Sequence, residues 1–152
     1  MYSVELTQNP QLKMKLLVFL WRVAKMRSRG GVFQLLLPIH LLYWFYSQVM
    51  CAVELPIGVV SDGPLVIWHG AGLVVNPGVR LGRGVVLRNG VVIGNDGQSD
   101  NCPRIGDSVE IGANAVIVGD ITVGDGALVG PNTFVNFNVP SGAKVISTSV
   151  IK

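Results

Sequence analysis

Few side chains in this sequence have an ordinary pKa within about two units of neutral pH: two histidines, His40 and His69, and two cysteines, Cys51 and Cys102. An imidazole has an ordinary pKa of about 6.5, so it is well matched to removing a proton from a hydroxyl group at neutral pH. His40 lies in an apolar stretch, whereas His69 lies in the glycine-rich stretch WHGAG. We therefore take His69 as the candidate general base. The alternative is a histidine that only stabilises the fold through hydrogen bonds.

Several kinds of chemistry have no support in the sequence. Two histidines cannot build a three-histidine zinc site within one chain. The sequence contains no GxxxxGK[ST] loop, no CxxC pair and no face of interleaved basic and aromatic residues. We therefore expect no bound metal, no nucleotide hydrolysis and no nucleic-acid partner. Two cysteines and the lack of a cleavable leader predict a cytoplasmic protein.

A six-residue repeat sets the expected fold. Stepping by six from Ile57 to Val135 gives 14 positions, of which 11 hold Ile, Leu or Val, against about five expected by chance. Gly, Asn or Asp often follows, and small or β-branched residues recur four positions later. The pattern predicts a mainly β fold, a left-handed parallel β-helix, over residues 54–140. His69 falls on one of these positions, where an imidazole must point out of the coil or destabilise its core.

One segment interrupts the repeat. Ser99 stands where an aliphatic residue is expected, but Ile93 and Ile105 are two repeats apart, so the register continues beyond it. We predict that residues 94–103 form a loop that leaves the coil; the alternative is a local bulge. Loops on rigid scaffolds often carry function. Residues 141–152 are expected to form a C-terminal tail.

The first 53 residues differ in charge from the rest of the chain. Residues 1–53 carry six Lys and Arg and one Glu, whereas residues 54–152 carry six Lys and Arg and eight Asp and Glu. The uncharged run from Gly30 to Val53 is long enough to cross a bilayer, but Pro38 would break or kink a helix there. We predict two helices, over about 11–27 and about 38–50, packed on the main domain or on a neighbouring subunit. The alternatives are a segment that lies on an anionic membrane surface and a transmembrane helix.

A family resemblance rests on several motifs. The stretches IWHGAGLVVNPGV, CPRIGDSVEIGANAVIVGD and GALVGPNTFVNFNVP, preceded by LWRVA, LLYWFY and VELPIG, resemble the hexapeptide acyltransferases of the serine acetyltransferase type. Within that type the chain is most similar to the exopolysaccharide O-acetyltransferases of colanic acid biosynthesis, and the likeness covers nearly the whole chain. It implies acetyl transfer from acetyl-coenzyme A to a hydroxyl group. It also implies a homotrimer whose active sites lie between neighbouring subunits.

The resemblance also assigns roles to individual residues. It implies that His69 is the catalytic base and that Glu54, 15 residues upstream, is its carboxylate partner, where the serine enzymes have Asp. It further implies that the coenzyme channel is lined by Gly94, Asn95, Ala113 and Pro131.

Three positions depart from the serine enzymes. Where those enzymes have Asp, Arg and His to hold the amino acid, this chain has Trp68, Asn101 and Cys102. This neutral set lacks the charged, bidentate contacts that a carboxylate needs, so serine is a poor candidate. Trp68 offers a flat apolar face to a sugar ring, and packing at a subunit interface is the alternative. Cys102 suggests a covalent acetyl-cysteine route as an alternative to direct transfer.

The resemblance thus favours an O-acetyltransferase that modifies a sugar hydroxyl in exopolysaccharide or capsule biosynthesis. The expected acceptor is a saccharide, and a lipid-linked saccharide would bring the trimer to the inner face of the cytoplasmic membrane. Two other functions stay open. One is a serine O-acetyltransferase of cysteine biosynthesis, and the other is a non-catalytic β-helix that acts as an assembly scaffold.

Overall fold

Short strands separated by turns make up most of the protein. The computed structural model describes residues 7–27 and 37–147. Strands of two to four residues are too short to be stable alone, so each is stabilised by pairing with strands in the coils above and below it. In chain order the strands of the described residues are β1 Val53–Glu54, β2 Val60–Ser61, β3 Leu65–Trp68, β4 Leu73–Val75, β5 Arg80–Leu81, β6 Val85–Arg88, β7 Val92–Gly94, β8 Arg104–Ile105, β9 Glu110–Ile111, β10 Val116–Val118, β11 Thr122–Val123, β12 Leu128–Val129, β13 Phe134–Val135 and β14 Lys144–Val145.

The strands stack into three sheets, which form the faces of a triangular prism. Face A has the strand order β1-β4-β7-β10-β13, face B has β2-β5-β8-β11, and face C has β3-β6-β9-β12-β14. The pairings between these strands are parallel. Three consecutive strands therefore make one coil, and the chain makes about five coils. This confirms the predicted fold class, a parallel β-helix preceded by a short helical segment.

A column of aliphatic side chains fills the prism. In the second coil, for example, Val79, Leu81, Val85 and Leu87 are all fully buried. They represent both sets of positions in the six-residue repeat, because alternate residues of a strand point to the same side of its sheet. Burying one such side chain stabilises a fold by about 1.5–3 kcal/mol, so the repeat accounts for the core of the solenoid.

The first coil is two residues longer than the regular coils. Leu65 of β3 pairs with Val85 of β6, a spacing of 20 residues, whereas Glu110 of β9 pairs with Leu128 of β12, a spacing of 18. Because β4 and β7 already pair at the regular spacing, the two extra residues must lie in the corner of residues 69–72.

This insertion corrects the position expected for His69. Stepping by six placed His69 at a core position, but the structure puts it in the lengthened corner, where it is exposed and has a backbone φ of 67°. The fully buried aliphatic residues of the first coil are instead Val53, Leu55, Val59, Leu65 and Ile67. The register before the corner is therefore shifted by two residues from the register after it.

Two helices precede the solenoid. Helix α1 is Leu12–Arg27, and helix α2 is Leu37–Phe45, continued by a π-helix at Tyr46–Met50. Helix α1 crosses the open end of the first coil, where its side chains donate hydrogen bonds to backbone carbonyls: Trp21 to Pro56 (3.0 Å), Arg22 to Gly63 (2.5 Å) and Lys25 to Val59. The free end of a solenoid exposes unpaired backbone groups, so the helix acts as a cap.

Asn9, just before α1, completes the cap at strand β3. Its side-chain amide accepts a hydrogen bond from the Ile67 N–H (2.8 Å) and donates one to the Leu65 carbonyl (3.0 Å). Asn9 is fully buried, so the amide takes the place of a neighbouring strand at the edge of face C.

The helices also carry large apolar side chains that face solvent. These are Leu12, Leu16 and Phe19 of α1, Leu41, Leu42, Trp44 and Phe45 of α2, and Val49 and Met50 of the π-helix. None of the helices in the described ranges has the length and apolarity that a membrane span requires.

The stacked strands continue beyond residue 140. Strand β14 pairs with β12 at Leu128 and Lys144, so part of the segment expected to be a tail belongs to the last coil. Between β7 and β8, residues 95–103 form no strand and the regular spacing is lengthened by six residues.

Candidate active site

One edge of the prism carries most of the candidate residues. Each coil passes from face C to face A at residues 69–72, 89–91, 112–115 and 130–133, which we call the C–A edge. Backbone hydrogen bonds stack these corners: Gly90 N to Ala71 O (2.9 Å), Asn114 N to Asn89 O (2.9 Å) and Asn132 N to Ala113 O (2.8 Å). The corners therefore follow one another at the spacing of neighbouring strands, about 4.8 Å.

The lengthened corner presents His69 at one end of this edge. It is closed by hydrogen bonds from Ala71 N to His69 O (2.6 Å) and from Gly72 N to Ala52 O (2.8 Å). A Cβ at Gly70, where φ is 55°, would lie 2.5 Å from the sulfur of Met14, so a larger residue would have to displace Met14 and adopt a left-handed backbone. The left-handed backbone of His69 is costly for a residue with a side chain, by about 1–3 kcal/mol, and such strain is concentrated at functional sites.

Gln11 is the hydrogen-bond partner of the His69 ring. Its side-chain Nε2 lies 2.5 Å from His69 Nδ1, and its Oε1 is buried without a partner in the described part of the chain. The two ends of an amide are assigned from the hydrogen-bond network, so either can face the imidazole. With Oε1 facing the ring, the Gln11 amide accepts a hydrogen bond from His69 Nδ1–H, which leaves His69 Nε2 free to act as a base.

Glu54 lies near the His69 corner but does not contact its ring. It is the exposed second residue of β1, and Ala52, two residues before it, is bonded to Gly72 of the corner. Glu54 instead lines a cavity of about 490 Å³ between α2, the π-helix and the first coil. His40 also lines this cavity, and its Nδ1 is buried with no partner among the described residues.

Trp68 and Arg88 form a pair beside the His69 corner. They end strands β3 and β6, lie opposite each other in the parallel register, and the Arg88 guanidinium lies 5.1 Å from the centre of the Trp68 ring. Trp68 is 37% exposed. Its position directly before His69 was expected from the sequence, but the arginine beside it was not.

Two of the four predicted coenzyme residues share one cavity on the C–A edge. Ala113 and Pro131 line a cavity of about 290 Å³ together with Arg88, and most of the other lining residues are small or aliphatic. From the stacking of the corners, Ala113 lies two coils and Pro131 three coils from the His69 corner, or roughly 10 and 14 Å.

The other predicted residues lie on a different edge. The corners between faces A and B, which we call the A–B edge, contain residues 76–79, 95–103, 119–121 and 136–138. Gly94 ends β7 just before this edge, and Asn95 lines a cavity there with Asp120 and the exposed Phe134. The described chain therefore does not bring Gly94 and Asn95 together with the C–A edge.

The loop of residues 95–103 carries the remaining candidates. Asn101 donates a hydrogen bond to the Asp120 carboxylate (3.0 Å), and the Asp96 carboxylate accepts bonds from the backbone N–H groups of Gln98 and Ser99. These two backbone bonds lower the pKa of Asp96. They give the loop a defined shape on the A–B edge.

Comparisons with known proteins agree with this architecture. Residues 102–136 match the family described as bacterial transferase hexapeptide (six repeats). Over 111 residues the chain is 38% identical to an Escherichia coli K12 protein that carries the name colanic acid biosynthesis acetyltransferase WcaB; the match covers 72% of this chain and 68% of WcaB. The chain belongs to the hexapeptide-repeat transferases. The predicted resemblance is confirmed, and the prediction of an acyltransferase is confirmed at the level of this family.

Other hexapeptide-repeat transferases match a smaller part of their own length. A serine acetyltransferase from Mycobacterium tuberculosis is 30% identical over 103 residues, which are 66% of this chain and 45% of that enzyme. The solved serine acetyltransferase of Brucella abortus strain S19 in complex with coenzyme A is 26% identical, with a TM-score of 0.78 over 91% of this chain and 54% of that one. The chain thus spans about half the length of the serine acetyltransferases that it matches.

Cys102 has the environment of an unreactive thiol in this transferase. Burial raises its pKa, and the neighbouring charge of Asp100 raises it further. Its sulfur lies close to Gly78 on the A–B edge, where a Cβ would be 3.0 Å away. A thiol with a raised pKa is mostly protonated at neutral pH and is therefore a poor nucleophile. Within the described ranges no three His, Cys, Asp or Glu side chains are grouped to hold a metal.

Sequence reasoning missed two residues of this hexapeptide-repeat transferase site, Gln11 and Arg88. The 20-residue spacing of the first coil, seen in the likeness of VIWHG to VLRNG, would have placed Arg88 opposite Trp68. No pattern in the sequence indicates Gln11, because 58 residues separate it from His69 and only the packing of α1 brings it there.

Proposed function

We propose that this protein is an O-acetyltransferase that moves the acetyl group of acetyl-coenzyme A to a hydroxyl group of a saccharide. The observation that carries the proposal is the C–A edge: an exposed histidine on a lengthened corner stands at one end, and a cavity lined by Ala113 and Pro131 continues along the same edge. Acyl transfer from a long donor requires a binding channel that leads the thioester to the catalytic base, and the C–A edge offers both.

His69 acts as the base in this proposal. Its Nε2 takes the proton of the acceptor hydroxyl while the oxygen forms a bond to the acetyl carbonyl carbon. The carbon–sulfur bond then breaks, and the imidazolium returns the proton to the departing thiolate, so the products are the acetyl ester and free coenzyme A. Gln11 orients the ring through Nδ1. We keep Glu54 as the carboxylate that stabilises the imidazolium, a role supported by its place next to the His69 corner.

The cavity at Ala113 and Pro131 suits the donor. Much of its lining consists of small residues, among them Gly112 and Gly130, which leave room for a ligand. The lining is largely apolar and includes Leu128 and Val129. The pantetheine arm of acetyl-coenzyme A is uncharged and only partly polar, so it fits a surface of this kind. Coenzyme A bound to the related Brucella abortus enzyme supports the same donor here.

A second copy of the chain is part of the proposal. Gly94, Asn95, Asn101 and Cys102 lie on or beside the A–B edge, whereas His69 and Ala113 lie on the C–A edge. Two edges of one prism cannot face each other, but the A–B edge of one subunit can face the C–A edge of the next around a threefold axis. We propose a homotrimer in which each site is completed by a loop from the neighbouring subunit.

The acceptor is a saccharide of exopolysaccharide or capsule biosynthesis in our proposal. The name of WcaB supports it, and so does the exposed ring of Trp68 next to His69, because aromatic faces stack against sugar rings. The competing candidate is serine, since other relatives are named serine acetyltransferases.

We also propose that the trimer rests on the inner surface of the cytoplasmic membrane, where a lipid-linked acceptor would lie. The exposed apolar side chains of α2 and the exposed Lys13 of α1 support contact with anionic lipid. The full-length protein should sediment with phosphatidylglycerol vesicles at low salt, and Phe45→Ser should weaken this binding. Phe137→Ser, at an exposed aromatic of the last coil, is the matched control. If the protein binds uncharged vesicles equally well, the proposed attraction between its basic residues and anionic lipid is wrong.

The experiment that tests the reaction measures release of free thiol from acetyl-coenzyme A. Deacetylated exopolysaccharide oligosaccharides and L-serine are supplied as separate acceptors. His69→Asn is the key variant, because Asn114 and Asn132 adopt the same left-handed backbone on this edge, so the change removes the base without straining the corner. Release with saccharide that falls at least about 100-fold in this variant is the expected result. If serine is turned over at a comparable rate, serine and not a saccharide is the acceptor. If neither acceptor leads to thiol release, the non-catalytic scaffold is favoured.

A further inference from the structure

The Trp68–Arg88 pair brings a positively charged guanidinium close to the proposed catalytic base. Trp68 directly precedes His69, and the guanidinium of Arg88 lies over the Trp68 ring. Arg88 is half-buried at the end of β6, and it lines the cavity that continues to Ala113. The chain therefore holds a positive charge at the end of the proposed donor cavity that is nearest to His69.

The Arg88 guanidinium has two features that favour binding of an anion: it has no ion-pair partner among the described residues, and its plane is held by the Trp68 ring. No carboxylate within residues 7–27 or 37–147 forms an ion pair with it, and Glu110, which lines the same cavity, lies beyond ion-pair distance. Stacking on an indole occupies the flat face of a guanidinium and fixes its plane. The N–H groups in that plane stay free, and they match the two oxygens of a carboxylate or phosphate.

The position of Arg88 points to the acceptor rather than to the donor. The reacting thioester has to be beside His69. Arg88 ends the neighbouring strand, whose backbone lies about 4.8 Å from that of Trp68, the residue before His69. The part of acetyl-coenzyme A next to its thioester is the uncharged pantetheine arm, and the phosphates lie at the far end of that arm. An anion within reach of Arg88 and His69 together therefore belongs to the second substrate.

We propose that Arg88, held in place by Trp68, binds an acidic group of the acceptor, so that the saccharide acetylated by this enzyme is negatively charged. The inference rests on the proposed function. It differs from the expectation of a neutral site, which was based on Trp68, Asn101 and Cys102 alone. The expectation that serine is a poor acceptor had the same basis, so support for a saccharide acceptor comes from the exposed Trp68 ring and the name of WcaB. The acidic group is an oxyanion, either the carboxylate of a uronic acid or a sugar phosphate, and Arg88 selects acceptors by charge while Trp68 stacks on the ring.

The test compares acidic and neutral forms of the same acceptor. One arm uses an oligosaccharide that contains a uronic acid and the same oligosaccharide after its carboxyl groups are reduced to alcohols. The other arm uses a sugar phosphate and the dephosphorylated sugar. The enzymes are the wild type, Arg88→Met, Arg88→Lys and Arg104→Met, the last being a control at an exposed arginine on face B. The readouts are kcat/KM for each acceptor and KM for acetyl-coenzyme A.

We expect the wild type to prefer the acidic form in one arm, and that arm identifies the source of the anion. Arg88→Met should lower kcat/KM for the acidic acceptor by about 10- to 100-fold. Because Arg88 also lines the proposed donor cavity, kcat/KM for the neutral acceptor and the KM for acetyl-coenzyme A can change as well, but by a much smaller factor. Arg88→Lys should lie between, since it keeps the charge but loses the bidentate geometry. Arg104→Met should match the wild type.

Three results would overturn the inference. The first is equal use of acidic and neutral acceptors by the wild type, and the second is an equal loss with both forms in Arg88→Met. The third is a KM for acetyl-coenzyme A that rises in that variant by as large a factor as kcat/KM for the acidic acceptor falls, which would assign Arg88 to the donor. Failure of the wild type to acetylate any saccharide is a different result, because it removes the proposed function before any variant is compared.

Discussion

The first coil and the later coils have the same three-sided architecture, but they differ at one corner. In the later coils the C–A corner is short, and Asn and Gly residues there satisfy the tight turn, as at Asn89 and Gly90. In the first coil two further residues push the corner outward, and it carries an exposed histidine. We therefore propose that the regular corners of this edge supply rigidity and that its lengthened corner supplies the chemistry.

The helical cap is the second element of this difference. Only the first coil is covered by α1, which places Met14 under the corner and Gln11 against the imidazole. The cap stabilises the end of the solenoid and positions the ring at the same time. Its basic residues Arg22 and Lys25 donate to backbone carbonyls, so these two charges serve the cap.

The largest effect is expected from making the first coil regular. Deleting Ala71 and Gly72 leaves Trp68, His69 and Gly70 as a corner equivalent to the Arg88–Gly90 corner of the next coil. The solenoid should still close, while His69 is drawn away from Gln11, so kcat/KM should fall by about 100-fold or more. Circular dichroism and size-exclusion chromatography report whether the fold is kept. A regular first coil with full activity would mean that the lengthened corner has no catalytic role.

A smaller loss should come from removing the partner of the imidazole. Gln11→Leu is expected to lower kcat by about 10- to 100-fold and leave the KM for acetyl-coenzyme A unchanged, because the ring is no longer held in one tautomer. Glu54→Gln should cost less, since its carboxylate does not touch the ring in this structure. Gln11→Glu, which keeps an acceptor for Nδ1–H, should restore part of the activity. If Glu54→Gln proved the more damaging change, the partner role would return to Glu54.

The cap should contribute stability rather than rate. Arg22 is buried, bonds Gly63 O and Ser61 Oγ, and stacks on Trp21. Arg22→Met should destabilise the fold by about 2–3 kcal/mol, because carbonyls at the end of the solenoid lose a charged donor. Thermal unfolding should shift down by about 5–10 °C. Arg104→Met, at an exposed position in the regular coils, should shift it little. Similar shifts in both variants would contradict the capping role of α1.

The smallest effect is expected at Cys102. Because the pKa of its thiol is raised, Cys102 should react slowly with iodoacetamide at pH 7. The reaction should become faster as the pH rises above the ordinary pKa of a thiol, since more of the thiol is then thiolate. Cys102→Ser should keep activity within about twofold of the wild type, as direct transfer needs no thiol. The residual labelling of this variant measures the buried Cys51. A trapped acetyl-cysteine, or loss of activity in Cys102→Ser, would favour the covalent route.

The sequence predicted some of these features and not others, for physical reasons. The aliphatic repeat predicted the solenoid because each coil contributes equivalent inward side chains, and Ile111 and Ile117 are fully buried as that pattern requires. The same repeat misplaced His69, because an insertion of two residues shifts the register without disturbing the residues that come after it. Glu54 and His69 were expected together, but the contact that the ring makes is with Gln11.

The fold class and the identity of the candidate base follow from the sequence alone. A six-residue repeat can be recognised from neighbouring residues of the sequence, and so can a histidine in a glycine-rich stretch. The surroundings of that histidine were decided by tertiary structure. Gln11 reaches His69 only because α1 packs across the end of the solenoid, and Arg88 reaches Trp68 only because consecutive coils lie in parallel register. The contact of Gln11 depends on packing that no local pattern encodes, whereas that of Arg88 follows from the repeat once the 20-residue spacing of the first coil is known.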